Sequence, residues 1–569
     1  MRRIQLFGAL CAGLLIFSST VSADEPKETV PLQEAATSAK ATFQPMDSET
    51  SQAAKESLLA TLKRFDDYLT YGGTRKRNGW RRYLQLEVVE KALQEDPVDL
   101  RVVNRSLEKF RAYHSGLERS EFTELRDAMF AYRNAAYFST TKNIKDQYTF
   151  NLEQLSKRLA TYAETPNLAD ASLIGRTIGW LESGAQAESL IKDIRQRYRH
   201  PNLFARVSSR FVAAAMESDI DENSGIYDQV GNMSLTGSAH TRARITAVLI
   251  PDDDRAYFEI QMLGVANSNT TGSVGPVTIY TTGTTSIDGR KHVMIDADGL
   301  HSHPAIAFCV TETNVYALDA PLLIRKIAWR QVSQRKNSSE VAASRKAAGQ
   351  IAWRMDSQGG EMLAKANEYY NEQFRKPLMR RGEFPQLMKF STTSDHLFVT
   401  MRQANAFQIA APSEPPSITG DPDLVVRIHE SLVSNISEAA LGGITLSNAQ
   451  MREAIRKLLG KVPEELKAGP DTETLSISFS TAQPISLEFA DQTVKITIRG
   501  RRFTRGKQII RDAMSVTARY KIELADGGLK LVVVDKTSGL TLLFPHNGTP
   551  AGSGIKTTHS SIGKHCVIT

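Results

Sequence analysis

The residues best placed to do chemistry are Asp296, Asp298, His301 and His303. On an extended strand, residues two apart point the same way, so His-x-His presents two imidazoles and Asp-x-Asp two carboxylates. Such a set offers the nitrogen and oxygen ligands of a metal centre able to activate water, as in a metal-dependent hydrolase. His240 and His292 would be its outer members. The same residues also read as a solvated hairpin turn, because Asp298-Gly299 is ordinary turn chemistry and Pro304 follows.

Asp252, Asp253 and Asp254 offer carboxylates to calcium, but the glycine and distal glutamate of a calcium loop are missing. A polar hairpin tip is the simpler reading. Gly500 to Lys507 has a superficial phosphate-loop look; its spacing is one residue too long, and Gln508 stands where a metal-binding hydroxyl belongs. The region is more informative as charge. Arg499, Arg501, Arg502, Arg505, Lys507 and Arg511 form a basic patch for anionic headgroups or polymer, or else a solvated hairpin rim. There is no Gly-x-Ser-x-Gly elbow and no His-Glu-x-x-His helix. The chain therefore reads as non-enzymatic, with no cofactor.

The N-terminus supplies an address. Arg2 and Arg3 precede an apolar run from Leu6 to Phe17, and Val21-Ser22-Ala23 ends in the small-x-small pattern of a cleavage site. The run is shorter than the roughly 20 residues that span a bilayer. A signal peptide over 1–23 is expected, with a periplasmic or secreted product. Leu10 before Cys11 argues against a lipoprotein. Cys309 and Cys566 remain as a disulfide candidate or as two separate thiols; His565 beside Cys566 is a weak activating neighbour. The formal charge of +7 becomes +5 once Arg2 and Arg3 are removed, which permits an anionic partner without requiring one. No second long apolar run exists, so an integral membrane protein is not expected. The basic segment 324–381, with Trp329 and Trp353, invites base stacking, but export argues against nucleic acid.

These residues need elements to hold them. A flexible leader is expected over 24–46, then a helical domain over 47–200, in which Leu58, Leu62, Phe65 and Leu69 share one face. Near residue 240 the period switches to two. Strands are expected over 242–250 and 255–263, with Ala256, Phe258, Ile260 and Met262 on one apolar face that something must cover. Further strands fit 276–287 and 290–296, joined by an Asp288-Gly289 turn, and 305–317. A long helix follows over about 324–376, broken or kinked at Gly359-Gly360, and closes a unit spanning 201–385. A second β-rich region occupies 386–545, with a helix over 446–459 capped by Ser447, and 546–569 reads as a disordered tail. The expected class is α+β: an all-α N-terminal domain followed by antiparallel curved sheets with long helices.

The stretch Val341 to Pro385, with its Ala352-Trp353-Arg354 and Arg381-Gly382-Glu383-Phe384-Pro385 elements, resembles a family of uncharacterised secreted bacterial proteins. The order of meanders and helices over about 200–535 is similar to tubular lipid-binding (TULIP-like) domains, in which a curved sheet wraps a long helix. That resemblance implies a lipid-like or other apolar ligand within the curved sheets. Lipid, an anionic envelope polymer, or a protein docking on the helical domain are the partners to expect.

Overall fold

The computed structural model describes residues 31–111, 114–230, 232–418, 420–459, 475–490, 493–506, 508–525, 528–534, 539–542 and 565–568. The expected signal peptide, Lys507 and most of the expected tail lie outside these residues.

Ten helices are described before the long strands begin: α1 (Leu32–Ser38), α2 (Ser48–Tyr71), α3 (Thr74–Leu84), α4 (Leu86–Ala92), α5 (Leu100–Lys109), α6 (Ser120–Thr140), α7 (Ile144–Glu164), α8 (Leu168–Ser183), α9 (Glu188–Arg197) and, after strand β1 (Leu203–Ser208), α10 (Ser209–Met216). Apolar stripes at helical spacing build two cores here. Leu58, Leu62, Phe65 and Leu69 of α2 pack on Phe122, Leu125 and Met129 of α6. Tyr148, Leu152 and Leu155 of α7 pack on Ile174 and Ile178 of α8. The second core also takes in Ala36 and Ala39, so the segment expected to be a flexible leader is ordered from Leu32 onward. Packing on a partner face holds so short a helix.

The period-two region makes five strands far longer than the usual five or six residues and one short one. They are β2 (Ser218–Val230), β3 (Met233–Ile250), β4 (Ala256–Val274), β5 (Val277–Asp296), β6 (Gly299–Ser302) and β7 (Ile306–Asp319), in the antiparallel order β2-β3-β4-β5-β6, with β7 also on β5. Asp288-Gly289 is not a turn; β5 runs straight through it. Gly289 has a different duty: a Cβ there would lie 2.6 Å from the Met355 sulfur, so its absence lets a helix approach the sheet.

That helix is α11 (Leu322–Tyr370), 49 residues and about 73 Å long at 1.5 Å per residue. It is continuous through Gly359-Gly360 and gives way only to a π-turn over Asn371–Arg375, followed by α12 (Lys376–Arg381). The apolar face that needed cover receives it here: Met262 and Met355 are buried together with Ala243, and Phe258, Val293 and Leu249 meet Val212 of α10. Both outer edges of the sheet reach α11. On one side Arg354 binds Glu222 of β2 at 2.9 Å, and Lys346 pairs with Asp228. On the other, the Thr313 and Thr311 amides of β7 donate to Glu340 Oε1 at 2.6 Å and to Ser344 Oγ at 2.9 Å. The helix thus satisfies an otherwise open strand edge and closes the curved sheet into a tube.

At the tube's base lies a five-stranded sheet, β19-β10-β1-β9-β8, formed with β8 (Leu387–Thr392), β9 (His396–Arg402), β10 (Leu424–His429) and the terminal β19 (His565–Ile568). The expected disordered tail therefore contains a strand. Tyr370, Phe390, Ala256 and Val399 form the shared core. The helical part is tied in by a buried ion pair, Arg380 to Glu118 at 2.7 Å, and by Arg126 donating to the carbonyls of Met379 and Arg380. Beyond α13 (Glu430–Leu441) comes a second sheet region that begins with β11 (Thr445–Ser447) and α14 (Asn448–Leu459), where Ser447 Oγ accepts the Gln450 amide as the cap. Its strands continue as β12 (Leu475–Phe479), β13 (Ile485–Ala490), β14 (Thr493–Arg505), β15 (Gln508–Ile510), β16 (Met514–Ala525), β17 (Gly528–Val533) and β18 (Gly539–Leu542). The class is α+β, with antiparallel curved sheets after an N-terminal helical part.

Candidate functional site

The Asp296–His303 segment forms the β5–β6 turn, and its side chains are committed to holding it. Asp296 Oδ1 accepts the amides of Asp298 (2.8 Å) and Gly299 (3.2 Å) and meets His301 Nε2 at 3.2 Å. Asp298 turns away to Arg375 at 2.6 Å, and the His303 amide donates to the His292 carbonyl. Among the described residues, no group of three or more His, Cys, Asp or Glu side chains is placed to hold a metal. His240 pairs instead with Asp221 at 2.5 Å. Asp252 accepts the amides of Asp254 and Arg255, which makes the run of aspartates a self-capped hairpin tip.

One histidine constellation does assemble. His292 Nδ1 lies 3.0 Å from the Tyr257 hydroxyl, and its Nε2 lies 3.4 Å from Glu259 Oε2. Tyr257 and Glu259 sit on the neighbouring strand, so only the β4–β5 register brings the three together.

The basic patch divides. Arg499 is turned inward, donating to the Gln483 carbonyl (3.0 Å) and Ser486 Oγ (2.8 Å), and burial pulls its pKa down. Arg501 donates to the carbonyls of Phe479 and Gly443, which ties adjacent turns together. Arg502 and Arg511 are exposed, and Arg505 lies on β14. Cys309 is a free thiol on β7, raised in pKa by burial, whereas Cys566 stands on β19 in another sheet; the pairing proposed from composition is not made.

The surface with the least ordinary chemistry is the far end of the tube. Hairpin β4–β5 turns there, and the last residue of β7, Asp319, pairs with Thr278, so α11 starts at this tip. Its first five turns bury only a thin stripe, with Ile324, Ala328 and Val332 half-buried. Leu322 is 83% exposed, Leu323 93%, Ile327 58% and Trp329 40%. Between Ala320 and Ser339 there are five cations (Arg325, Lys326, Arg330, Arg335 and Lys336) and no carboxylate. The neighbouring β4–β5 hairpin is uncharged from Ile260 to Ile287 and rich in threonine, asparagine and glycine. Val274 adds exposed apolar surface at the same end. An apolar and cationic helix end beside an uncharged hairpin fits an amphiphilic anionic surface.

Sequence reading missed this tip. The cations and Trp329 were visible, but a long helix with apolar residues usually buries them; only the topology shows Leu322 and Leu323 uncovered. Deeper in the tube, the apolar inner face is filled by α11 itself, with Ile351 and Met355 against Gly289 and Met262.

No family model matches the chain, so the resemblance to a family of secreted bacterial proteins gains no support. No curated protein matches it either. Among solved structures, a crystal structure of lipopolysaccharide binding protein is similar over 61% of this chain and 86% of that one, at 9% identity and a TM-score of 0.21. At that score and identity the likeness assigns neither a fold nor a ligand to this chain. Among the described residues, no helix is long and apolar enough to cross a membrane.

Proposed function

We propose that this protein is an exported, non-enzymatic component of the cell envelope that engages anionic lipid through the tip of its helix-filled tube. The observation that carries the reading is the pair Leu322 and Leu323, almost fully exposed beside Arg325 and Lys326 where α11 begins. Burying a leucine side chain contributes about 1.5–3 kcal/mol. Each cation near an anionic leaflet contributes about 1 kcal/mol. Two leucines and three of the five cations give about 6–9 kcal/mol before the cost of immobilisation. That suits reversible attachment at a surface.

Flotation with phosphatidylglycerol vesicles and with phosphatidylcholine vesicles tests the reading. Binding to the anionic vesicles alone is expected, reduced at high salt because exposed charges are screened. A chain that stays in solution with both lipids overturns it.

A further inference from the structure

A second feature, at the opposite end of the tube, points to a different site. By register, one face of the five-stranded sheet carries Phe204 and Arg206 of β1, Arg427 of β10, His396 and Arg402 of β9, and Lys389 of β8. The other face is core, with Leu203, Ala205 and Val399. Four strands thus place three guanidiniums, an ammonium and an imidazole on one side of a sheet. Like charges in a half-buried setting repel strongly, and two neighbouring pairs do so here: Arg206 beside Arg427 and Arg199 beside Arg402. Burial and this repulsion hold the pKa of both Arg427 and Arg402 below the ordinary arginine value. The Nε atoms of Arg206 and Arg402 are buried without a hydrogen-bond partner among the described residues.

What reaches over the face is the chain at 412–418 and 420–423, stiffened by Pro412, Pro415, Pro416 and Pro422. Its grip is slight. The Pro416 carbonyl accepts from Arg427 Nη1 at 3.0 Å. A single carboxylate oxygen, Asp421 Oδ1, lies 3.1 Å from Arg206 Nη2 and 3.3 Å from His396 Nε2. Asp421 itself is largely exposed. The strap ends at Asp423, which anchors on Ser208 and Arg210.

We propose that this sheet face is a binding site for a phosphate group, and that the strap is its cover, with the Asp421 carboxylate standing where a phosphate oxygen sits when the site is filled. Guanidiniums present paired donors that match phosphate oxygens, and an added anion relieves the repulsion between Arg206 and Arg427. The phosphate is either free, as the inorganic ion, or the headgroup of a lipid.

Titration calorimetry of the full chain with inorganic phosphate tests the site. Asp421→Asn weakens the cover without touching the core and is expected to bind phosphate roughly five- to tenfold more tightly than the unaltered chain. Arg206→Gln in that background is expected to abolish the gain, with circular dichroism showing that the fold is kept. If Asp421→Asn shows no saturable phosphate binding, or gains equally with and without Arg206, the proposal is overturned. Vesicles then separate the sources. Tighter flotation of Asp421→Asn with phosphatidylglycerol identifies a headgroup, and a gain confined to inorganic phosphate identifies the free ion. Leu322→Ser/Leu323→Ser is expected to leave the phosphate titration unchanged, so failure at the tube's tip is distinguishable from failure here.

Discussion

Glu383 is the carboxyl most at odds with its surroundings. Burial pushes its pKa above the usual glutamate range, while the Asn405 amide and the Arg111, Arg381 and Arg126 guanidiniums pull it back only in part. A carboxyl raised on folding takes up its proton more readily in the folded chain, so its contribution to stability is lost as pH rises through the folded value. Glu383→Gln keeps the neutral form at every pH. It is therefore expected to raise the urea midpoint at pH 7 and to leave it nearly unchanged near pH 4. Gly175 is a test of packing. A Cβ there would lie 2.6 Å from the Phe407 carbonyl oxygen and 2.7 Å from the Gln408 Cα, which are backbone atoms that cannot swing aside. Gly175→Ala is expected to cost about 1–3 kcal/mol, measured as a lowered denaturant midpoint at constant slope. Residue types were legible in the sequence, but partners were not. Asp288-Gly289 looks like a turn because that dipeptide usually is one, yet Gly289 serves the approach of Met355. The Tyr257–His292–Glu259 contact depends on a register between strands that no local pattern encodes.

Elements were more legible than their lengths. The switch from helical to period-two patterning near residue 240, the long helix, and the need to cover the Phe258–Met262 face follow from periodicity, and the structure contains all three. The distal ends of β3 and β4 did not follow: β3 begins at Met233 and β4 runs on to Val274, where that strand is built of serine, asparagine, threonine and glycine without apolar alternation. There the strands persist through hydrogen bonding within a wide sheet closed by α11. Glu340 is central to that closure, accepting both the amide and the hydroxyl of Thr313. Glu340→Ala is expected to cost about 1 kcal/mol and to speed hydrogen exchange at the Thr313 amide, while exchange in β4 stays protected. Lower on the helix, Asp356 accepts from the buried Lys291 ammonium at 2.7 Å and from the Ala305 amide at 2.9 Å. Burial alone would raise its pKa; these two donors hold it below the usual aspartate range. A carboxyl lowered on folding stabilises at neutral pH, and that contribution disappears as pH falls below about 4. Asp356→Asn is expected to destabilise at pH 7 by about 1–2 kcal/mol, with the difference shrinking in acid.

At the scale of the whole molecule, the tube has two unlike ends. The base is locked to the helical part by Arg380–Glu118 and by Ile409, which is buried in the second helical core. The tip exposes leucines and cations that no other part of the described structure covers. Of the sequence motifs that drew attention first, the histidine turn and the Arg499 and Arg501 part of the basic run are taken up in holding turns and strands together. The tip was hidden because its meaning lies in exposure, which follows from topology. Ile327-Ala328-Trp329-Arg330 and Ile351-Ala352-Trp353-Arg354 now serve as paired reporters. They stand 24 residues apart on one helix, about 36 Å, and Trp353 is the more exposed at 72%. The most direct test of lipid engagement at the tip is quenching by phosphatidylglycerol vesicles with brominated acyl chains, using variants that retain only Trp329 or only Trp353. Strong quenching of Trp329, lost in Leu322→Ser/Leu323→Ser, with Trp353 unquenched, is the predicted result. Equal quenching of both tryptophans, or of neither, contradicts attachment through the tip.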